Sequence, residues 1–512
     1  MAFHYNLLVK FFLGLGLALA LPPLNQAWLG CVCLSALIVL DHGKPAQGWT
    51  RSFLEGLVFG LGYFVFALHW IGFAFLVDAQ DYLWMMPFAI GGLALLMSVY
   101  WGVAFVVVEA LVNRGWQRWL VFPCAMAVVE ALRGVLFTGF PWAAPGLIAD
   151  GLGGVLQVAS LIGMQGLTLL VLLWGMVPGV VFLVWRKQQG RSWLPFCVAV
   201  SALAVWGWGE LRLSNHKPDD NAGPVIRLVQ PNIAQDDKWQ NANGRAILDK
   251  LLALSTDAPE TFGQPQVIIW PESAVPFLLE EDPTALAAIS AVLTGEQKLL
   301  TGAIRRDEID GDERFYTSIL GIDRRGQVFS RYDKWRLVPG GEYLPLAWAL
   351  EPLGFRKVVS LPESFTPGPG AQAVDVPGIG IAAMLVCYEA IFPDHIVPAG
   401  IRPRWIVNVT NDGWFGRSIG PYQHLAQVRM RAVEQGLPVA RAANTGVSAM
   451  IDSLGRVVAQ SELLVPGKID ARLPMALEPT LYVRSGIVTP LLLLGLVLLF
   501  ARPRLRKNLQ SV

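Results

Sequence analysis

A bundle of apolar helices embedded in a membrane, carrying one large water-facing α/β domain, is the fold class this sequence predicts. Three observations lead there. Of 512 residues, 54% are hydrophobic and only 15% charged, against about 25% charged in ordinary soluble proteins. The apolar residues crowd into the first 210 positions, where only nine Lys or Arg occur. Positions 211–483 then mix charges with short β-like runs, before a last apolar run at 485–501 and the basic tail Arg502, Arg504, Arg506 and Lys507.

A membrane-crossing helix needs about 20 mostly apolar residues. The runs 7–23, 25–40, 52–76, 83–111, 119–137, 161–185, 193–210 and 485–501 therefore predict about eight spans. The implied organisation is a helical region at 1–210, a water-facing domain at 211–483, and a final helix with its basic tail at 484–512. Basic residues cluster in alternate loops: Lys44 and Arg51, then Arg114 and Arg118, then Arg186, Lys187 and Arg191. The loops between carry none, and one of them holds Asp78 and Asp81. The positive-inside rule then places both termini in the cytoplasm and the 211–483 domain outside. Lys10 before an apolar run and Ala18-Leu19-Ala20 also fit a cleaved signal peptide, which would remove one span and leave the large domain where it is.

The net charge of +1 excludes the concentrated basic surface on which nucleic-acid binding depends. His4, His42, His69, His216, His395 and His424 form no metal-binding signature, and no cysteine pair has structural-zinc spacing. No metal or cofactor is expected. Gly14-Leu15-Gly16 and Gly151-Leu152-Gly153-Gly154 lie in or beside spans and suit close helix packing, not phosphate binding. Arg133 reads as the only basic residue deep in the spans, with Glu130 three positions earlier on one helical face. They form either an internal ion pair or, through Arg133, a lipid-phosphate site.

Cys31, Cys33, Cys124 and Cys197 fall in apolar spans, where a free thiol behaves as a small hydrophobe. Cys387 alone belongs to the large domain, so a disulfide framework is not expected there. Short strand-like runs occur at Val225–Val229, Val267–Trp270, Leu299–Ala303, Ser318–Ile322, Val328–Tyr332, Trp405–Val409 and Ser448–Ile451. Helical periodicity appears at 244–255, 284–294 and 420–436. Mixed strands and helices predict an α/β layered domain.

Three apolar strands end in ionisable residues. Val267–Trp270 is stopped by Pro271 and followed by Glu272. Tyr332-Asp333 leads into Lys334. Ile381–Val386 ends at Cys387-Tyr388-Glu389. Strand ends facing a crevice are where α/β proteins place reactive groups, and these three types suit acyl transfer. A thiolate attacks a carbonyl, but a free thiol with pKa about 8.5 is mostly protonated at neutral pH. A carboxylate such as Glu272 can accept its proton, while an ammonium such as Lys334 favours the thiolate and faces the oxyanion that forms. Backbone N–H groups after Cys387 can share that role. His395 follows Cys387, but the intervening turn gives no reason to expect a Cys-His dyad.

These segments resemble the nitrilase superfamily, and more closely the bacterial apolipoprotein N-acyltransferases. The resemblance rests on Trp270-Pro271-Glu272-Ser273-Ala274, Tyr332-Asp333-Lys334, Leu337-Val338-Pro339 with Gly341-Glu342-Tyr343, and Cys387-Tyr388-Glu389. Thr410-Asn411-Asp412-Gly413-Trp414-Phe415-Gly416 and, among the spans, Gly139-Phe140-Pro141-Trp142 add to it. It implies an αββα sandwich joined to transmembrane helices. It also implies Glu272 as general base, Lys334 as oxyanion stabiliser and Cys387 as nucleophile, with Trp239, Glu342, Tyr388 and Glu389 supporting the triad or lining its mouth. Arg336 stands where the family usually has His, and Gly340 where it has Phe.

The resemblance further implies a monomeric enzyme of the bacterial inner membrane with its catalytic domain on the periplasmic side. An acyl chain would pass from a phospholipid, usually phosphatidylethanolamine, through a Cys387 thioester to the α-amine of a diacylated apolipoprotein. A hydrolase that gives the thioester to water would carry the same triad. A transporter with an outer binding domain would instead need polar or broken helices around a midplane site, and mid-span charges here are sparse. The apolar segment 345–355 is expected either to dip into the membrane interface as part of a lipid entrance or to pack on the domain's own core.

Overall fold

The computed structural model describes residues 2–42, 48–77, 79–112, 117–186, 193–216, 223–239, 241–259, 262–344, 347–350, 364–398 and 400–501. Lys44, Arg114, Lys187, Arg191 and the basic tail lie outside them. The chain divides into two units, one comprising Met1–Lys217, Ser418–Gln435 and Pro479–Val512, the other Pro218–Arg417 and Gly436–Glu478.

The first unit is helical. Among the described residues, four helices are long and apolar enough to cross a membrane: Trp49–Leu76, Leu83–Leu111, Gly153–Trp185 and Trp193–Asn215. Phe3–Ala18, Ala27–Asp41 and Val488–Ala501 are apolar but shorter. The run expected at 119–137 forms a helix over Arg118–Arg133. Helix Gly420–Gln435, read from sequence as part of the α/β domain, groups here. Its Gln423 accepts from Trp142 Nε1 at 2.8 Å, and its Glu434 from the Met164 N–H at 2.8 Å.

Buried charges in this unit are paired, as their desolvation requires. Arg133 is 1% exposed. It forms an ion pair with Glu130 and donates to the carbonyls of Phe140 and of Trp142, the latter at 3.0 Å. That network is the internal pair foreseen for these residues. Arg133 is not alone, however: Lys10 is fully buried, 2.9 Å from Asp41 and paired with Glu55. Lys10 precedes a long apolar run and reads from sequence as a flanking charge, because nothing local reveals two carboxylates on neighbouring helices.

The described residues of the second unit form a sandwich of two six-stranded sheets, ordered β12-β1-β2-β3-β4-β5 and β11-β10-β9-β8-β7-β6. The first sheet contains β1 (Val225–Gln230), β2 (Val267–Trp270), β3 (Lys298–Ile309), β4 (Asp312–Ile322), β5 (Val328–Asp333) and β12 (Gly467–Arg472). The second contains β6 (Ala373–Val376), β7 (Gly380–Val386), β8 (Trp405–Thr410), β9 (Val439–Ala443), β10 (Ala449–Ile451) and β11 (Val457–Gln460). Side chains alternate along each strand. Val267 and Ile269 of β2 thus join Met384, Val386, Val407 and Val409 in the core between the sheets. Ile268 and Trp270 pack the other way, with Ile247, Leu251 and Ile289 from helices Gly244–Thr256 and Pro283–Val292. Strands buried on both faces read as continuous apolar runs, which is why β2, β7 and β8 were legible. The Arg inside β9, the shortness of β11 at four residues and the polar alternation of β12 hid those strands.

Candidate active site

β2 runs parallel to β3; β4 and β5 each reverse direction, so β2 and β5 finish at one edge of the first sheet. In the second sheet β7, β8 and β9 are parallel. The ends of β2, β5, β7 and β8 carry Glu272, Lys334, Cys387 and Asn411.

Pro271 supplies no N–H to extend β2, and Ser273 turns the chain with φ +45°. Gly302 of β3 passes beneath: a Cβ there would lie 2.5 Å from the Glu272 Cα, so only glycine admits the turn. Glu272 is 8% exposed. Its Oε2 accepts the Asn411 N–H at 2.8 Å, which ties the two sheets together, and its Oε1 lies 3.4 Å from Lys334 Nζ.

Lys334 leaves β5 with its N–H donated to Thr317 O at 2.8 Å. Its Nζ donates to Glu342 Oε1 at 2.8 Å, and Glu342 Oε2 accepts the Val338 N–H at 2.7 Å. Burial by itself would depress the ammonium, but the carboxylates of Glu342 and Glu272 outweigh it and hold Lys334 above its ordinary range. Burial raises the Glu342 carboxyl, with Lys334 opposing.

Cys387 opens a short turn, Cys387–Ile391, with φ +46°. A non-glycine residue there is strained by about 1–3 kcal/mol. The thiol is buried, hydrogen-bonded to Thr410 and driven well above its usual pKa by burial and by the charge of Glu272, with Lys334 pulling the other way. Lys334 does favour the thiolate, as its charge dictates, but desolvation wins, so the group rests as a thiol.

Glu389 braces this turn. Its Oε2 accepts from the Val386 N–H at 2.7 Å and the Tyr332 hydroxyl at 2.8 Å. Its Oε1 accepts from Trp335 N at 2.9 Å and Arg336 N at 3.3 Å. Burial pushes its carboxyl up to about 7 against those N–H donors. Tyr388 is buried and meets Phe392 edge-on at 5.1 Å. Trp239 stands further off, packed against a small cluster of Ile304, Leu337 and Phe365.

Arg336 stacks over Trp335 and Phe392, at 4.5 and 4.0 Å from their ring centroids, and pairs with Asp394 at 2.9 Å. Gly340 adopts φ +78° and donates its N–H to Tyr343 O at 2.8 Å. This left-handed turn positions the Glu342 loop and would strain the usual Phe. The His395 side chain is 68% exposed beside Asp394 and meets Trp335 edge-on. Of the apolar segment 345–355, only 347–350 are described; Trp348 is 80% exposed, and Leu346 lies outside the described residues.

Lys238 and Arg441 reach the site without having been singled out, and Thr410 and Asp412, read from sequence only as part of a motif, join them. Lys238, 1% exposed, donates Nζ to the Glu272 carbonyl at 3.1 Å; burial lowers its pKa to about 8. Arg441 donates to Asn408 Oδ1 at 2.6 Å and Asp412 Oδ2 at 2.7 Å, and Thr410 donates to Asp412 Oδ1 at 3.0 Å. An arginine inside the apolar run Val439–Ala443 was the available signal, since buried charges come with partners.

Residues 13–177 match the model of the apolipoprotein N-acyltransferase N-terminal domain, and residues 225–477 that of carbon-nitrogen hydrolase. An apolipoprotein N-acyltransferase from Bradyrhizobium diazoefficiens is 41% identical over 96% of this chain and 93% of its own length. Another from Rhodopseudomonas palustris is 39% identical over 96% and 93%, and one from Brucella melitensis 40% identical over 92% and 90%. A carbon-nitrogen hydrolase sandwich and a set of apolar membrane helices, matched along nearly the whole length, make this chain a member of the apolipoprotein N-acyltransferase family.

Proposed function

We propose that this membrane protein N-acylates apolipoproteins by a ping-pong reaction in which Glu272, Lys334 and Cys387 are the catalytic triad. The observation that carries the reading is the buried Lys334 ammonium, held between Glu272 at 3.4 Å and Glu342 at 2.8 Å and in electrostatic reach of the Cys387 thiol. Glu342 fixes the lysine, which leaves Glu272 to act on protons.

As Cys387 Sγ attacks the acyl ester carbonyl of a phospholipid, Glu272 takes the thiol proton. The negative charge that builds on the carbonyl oxygen faces Lys334. The ester C–O bond then breaks, the lysophospholipid oxygen takes the proton from Glu272, and a thioester remains. The α-amine of a diacylated N-terminal cysteine attacks this thioester. Glu272 receives the amine proton and returns it to the departing sulfur, giving an amide. A thioester conserves the activation of the ester, so no other energy source is needed.

Lipids with two or three acyl chains do not leave the bilayer at a useful rate, so a membrane scaffold brings both substrates to one surface. The alternation of basic loops supports a periplasmic catalytic domain at 211–483, with helices 1–210 and 484–512 in the bacterial inner membrane and both termini cytoplasmic. Phosphatidylethanolamine is the expected donor, and the enzyme acts as a monomer. Trp239 and Tyr388 would line the mouth of the site, and Trp348 the lipid entrance.

Purified protein given phospholipid and a diacylated peptide tests the reading. N-acyl peptide, together with an acyl adduct on Cys387 by mass spectrometry, is expected. Free fatty acid alone would mean a hydrolase, and an active Cys387→Ala variant would dismiss the triad.

A further inference from the structure

Beside Cys387 lies a chain of buried polar side chains, Thr410, Asp412 and Arg441, that the proposed reaction does not use. Arg441 and Asp412 are fully buried and paired at 2.7 Å. Asp412 Oδ1 accepts the Thr410 hydroxyl at 3.0 Å, the same hydroxyl hydrogen-bonds the Cys387 side chain, and an Asp412 carboxylate oxygen lies within 4.8 Å of the Cys387 sulfur.

A threonine hydroxyl has one hydrogen to donate. An ionised Asp412, anchored by Arg441, can only accept, so in the resting enzyme it claims that hydrogen and leaves an oxygen lone pair towards the thiol. When the sulfur is anionic, the same hydroxyl can turn and donate to it. We propose that Thr410 is a two-position hydroxyl switch, set by Asp412, that turns to the Cys387 sulfur whenever it carries negative charge. It is a positioning residue for both half-reactions, and its demand is greatest when sulfur departs from the thioester. The inference rests on Cys387 being the nucleophile.

The test is the rate of iodoacetamide alkylation of Cys387 at pH 8 in purified full-length protein, read by mass spectrometry of the Cys387 peptide because four other cysteines are free. A hydrogen bond to a charged group is worth enough to shift the thiolate fraction about tenfold. Thr410→Val should therefore slow alkylation about tenfold, and Thr410→Ser should restore the parental rate. Asp412→Asn turns its amide towards Thr410, because Arg441 claims the carbonyl oxygen; the hydroxyl then points permanently at sulfur, and alkylation should quicken about tenfold. Adding Thr410→Val should slow the Asp412→Asn variant about tenfold, leaving only the gain that loss of the Asp412 charge gives by itself, which a loosened fold would not allow. Should Asp412→Asn not fold, the Thr410 pair decides. Parental alkylation in Thr410→Val overturns the switch. Failure of the unsubstituted protein to form an acyl-Cys387 adduct from phospholipid would instead overturn the underlying assignment of the nucleophile.

Discussion

Glu389 Oε1 accepts the Trp335 backbone N–H at 2.9 Å, joining the residue two places past Cys387 to the residue one place past Lys334. Cys387 and Lys334 come from different sheets, and this carboxylate fixes the separation of the two segments without a hydrogen bond to Cys387 Sγ or Lys334 Nζ. Four donors converge on it, three of them backbone N–H groups.

Glu389→Gln replaces one acceptor oxygen with a donor, so at least one of these N–H or O–H groups is left facing an N–H. Buried donors left unsatisfied cost about 1–3 kcal/mol each. The variant should melt several degrees below the parent and lose most acyl-enzyme formation, although Glu272, Lys334 and Cys387 are all present. Parental melting in detergent would show that the brace is dispensable.

The same residue gives a pH signature. Its carboxyl rises from the ordinary 4.5 to about 7 in the folded protein. A raised pKa means that the folded state holds the proton more tightly. This contribution is fully present below pH 4.5 and is lost as pH climbs through 7, by about 3 kcal/mol in all. Between pH 5 and 8 the parent should lose stability that Glu389→Gln does not. Melting-temperature differences between the two that stay constant over that range would contradict it.

Removing the ammonium leaves Glu272 and Glu342 buried with no cation between them. Breaking a buried pair this way costs about 3–5 kcal/mol, and on the role proposed for Lys334, loss of the oxyanion donor slows the chemical step about 100- to 1,000-fold. Lys334→Met should therefore be both less stable and nearly inert in single-turnover acylation. Lys334→Met combined with Glu342→Gln should recover stability but not rate, which separates the two roles. Recovery of both would mean that Lys334 serves the fold alone.

Arg336 lies against two aromatic faces, and a planar guanidinium can stack on them as well as attract them, whereas an ammonium offers the attraction alone. Arg336→Ala should cost about 1–2 kcal/mol, and Arg336→Lys should rescue little of it. Full rescue by lysine would assign its value to the Asp394 pair instead. That pair is part-exposed, and such pairs contribute little.

In the helical unit, Arg133→Met strands the Glu130 carboxylate among buried groups, with Trp101 Nε1 at 2.8 Å still donating to it. A loss of about 3–5 kcal/mol is expected, and Glu130→Gln in addition should return most of it. If Arg133 instead gripped a lipid phosphate, the single variant would keep its melting temperature and demand more donor lipid for half-maximal rate.

Local chemistry made much of this protein readable from its sequence. Apolar runs long enough to satisfy every backbone group inside a bilayer announced the helices. Doubly buried strands announced β2, β7 and β8, and Pro271 marked where one of them had to stop. Cys387 could be placed at a strand end because it directly follows an apolar run, and Glu272 because Pro271 ends one, whereas Lys334 closes the mixed strand Val328–Asp333. Partnership could not be read that way. Glu272 meets Asn411 139 positions away, Lys10 meets Glu55 across 45, and Arg441 reaches back 29 to Asp412. A buried charge is tolerated only where an opposite charge or an aligned dipole neutralises it, and nothing in the flanking residues encodes which distant element supplies it. That is settled when the two sheets close on each other and the helices pack, and at that point the resting state of the Cys387 thiol is settled too.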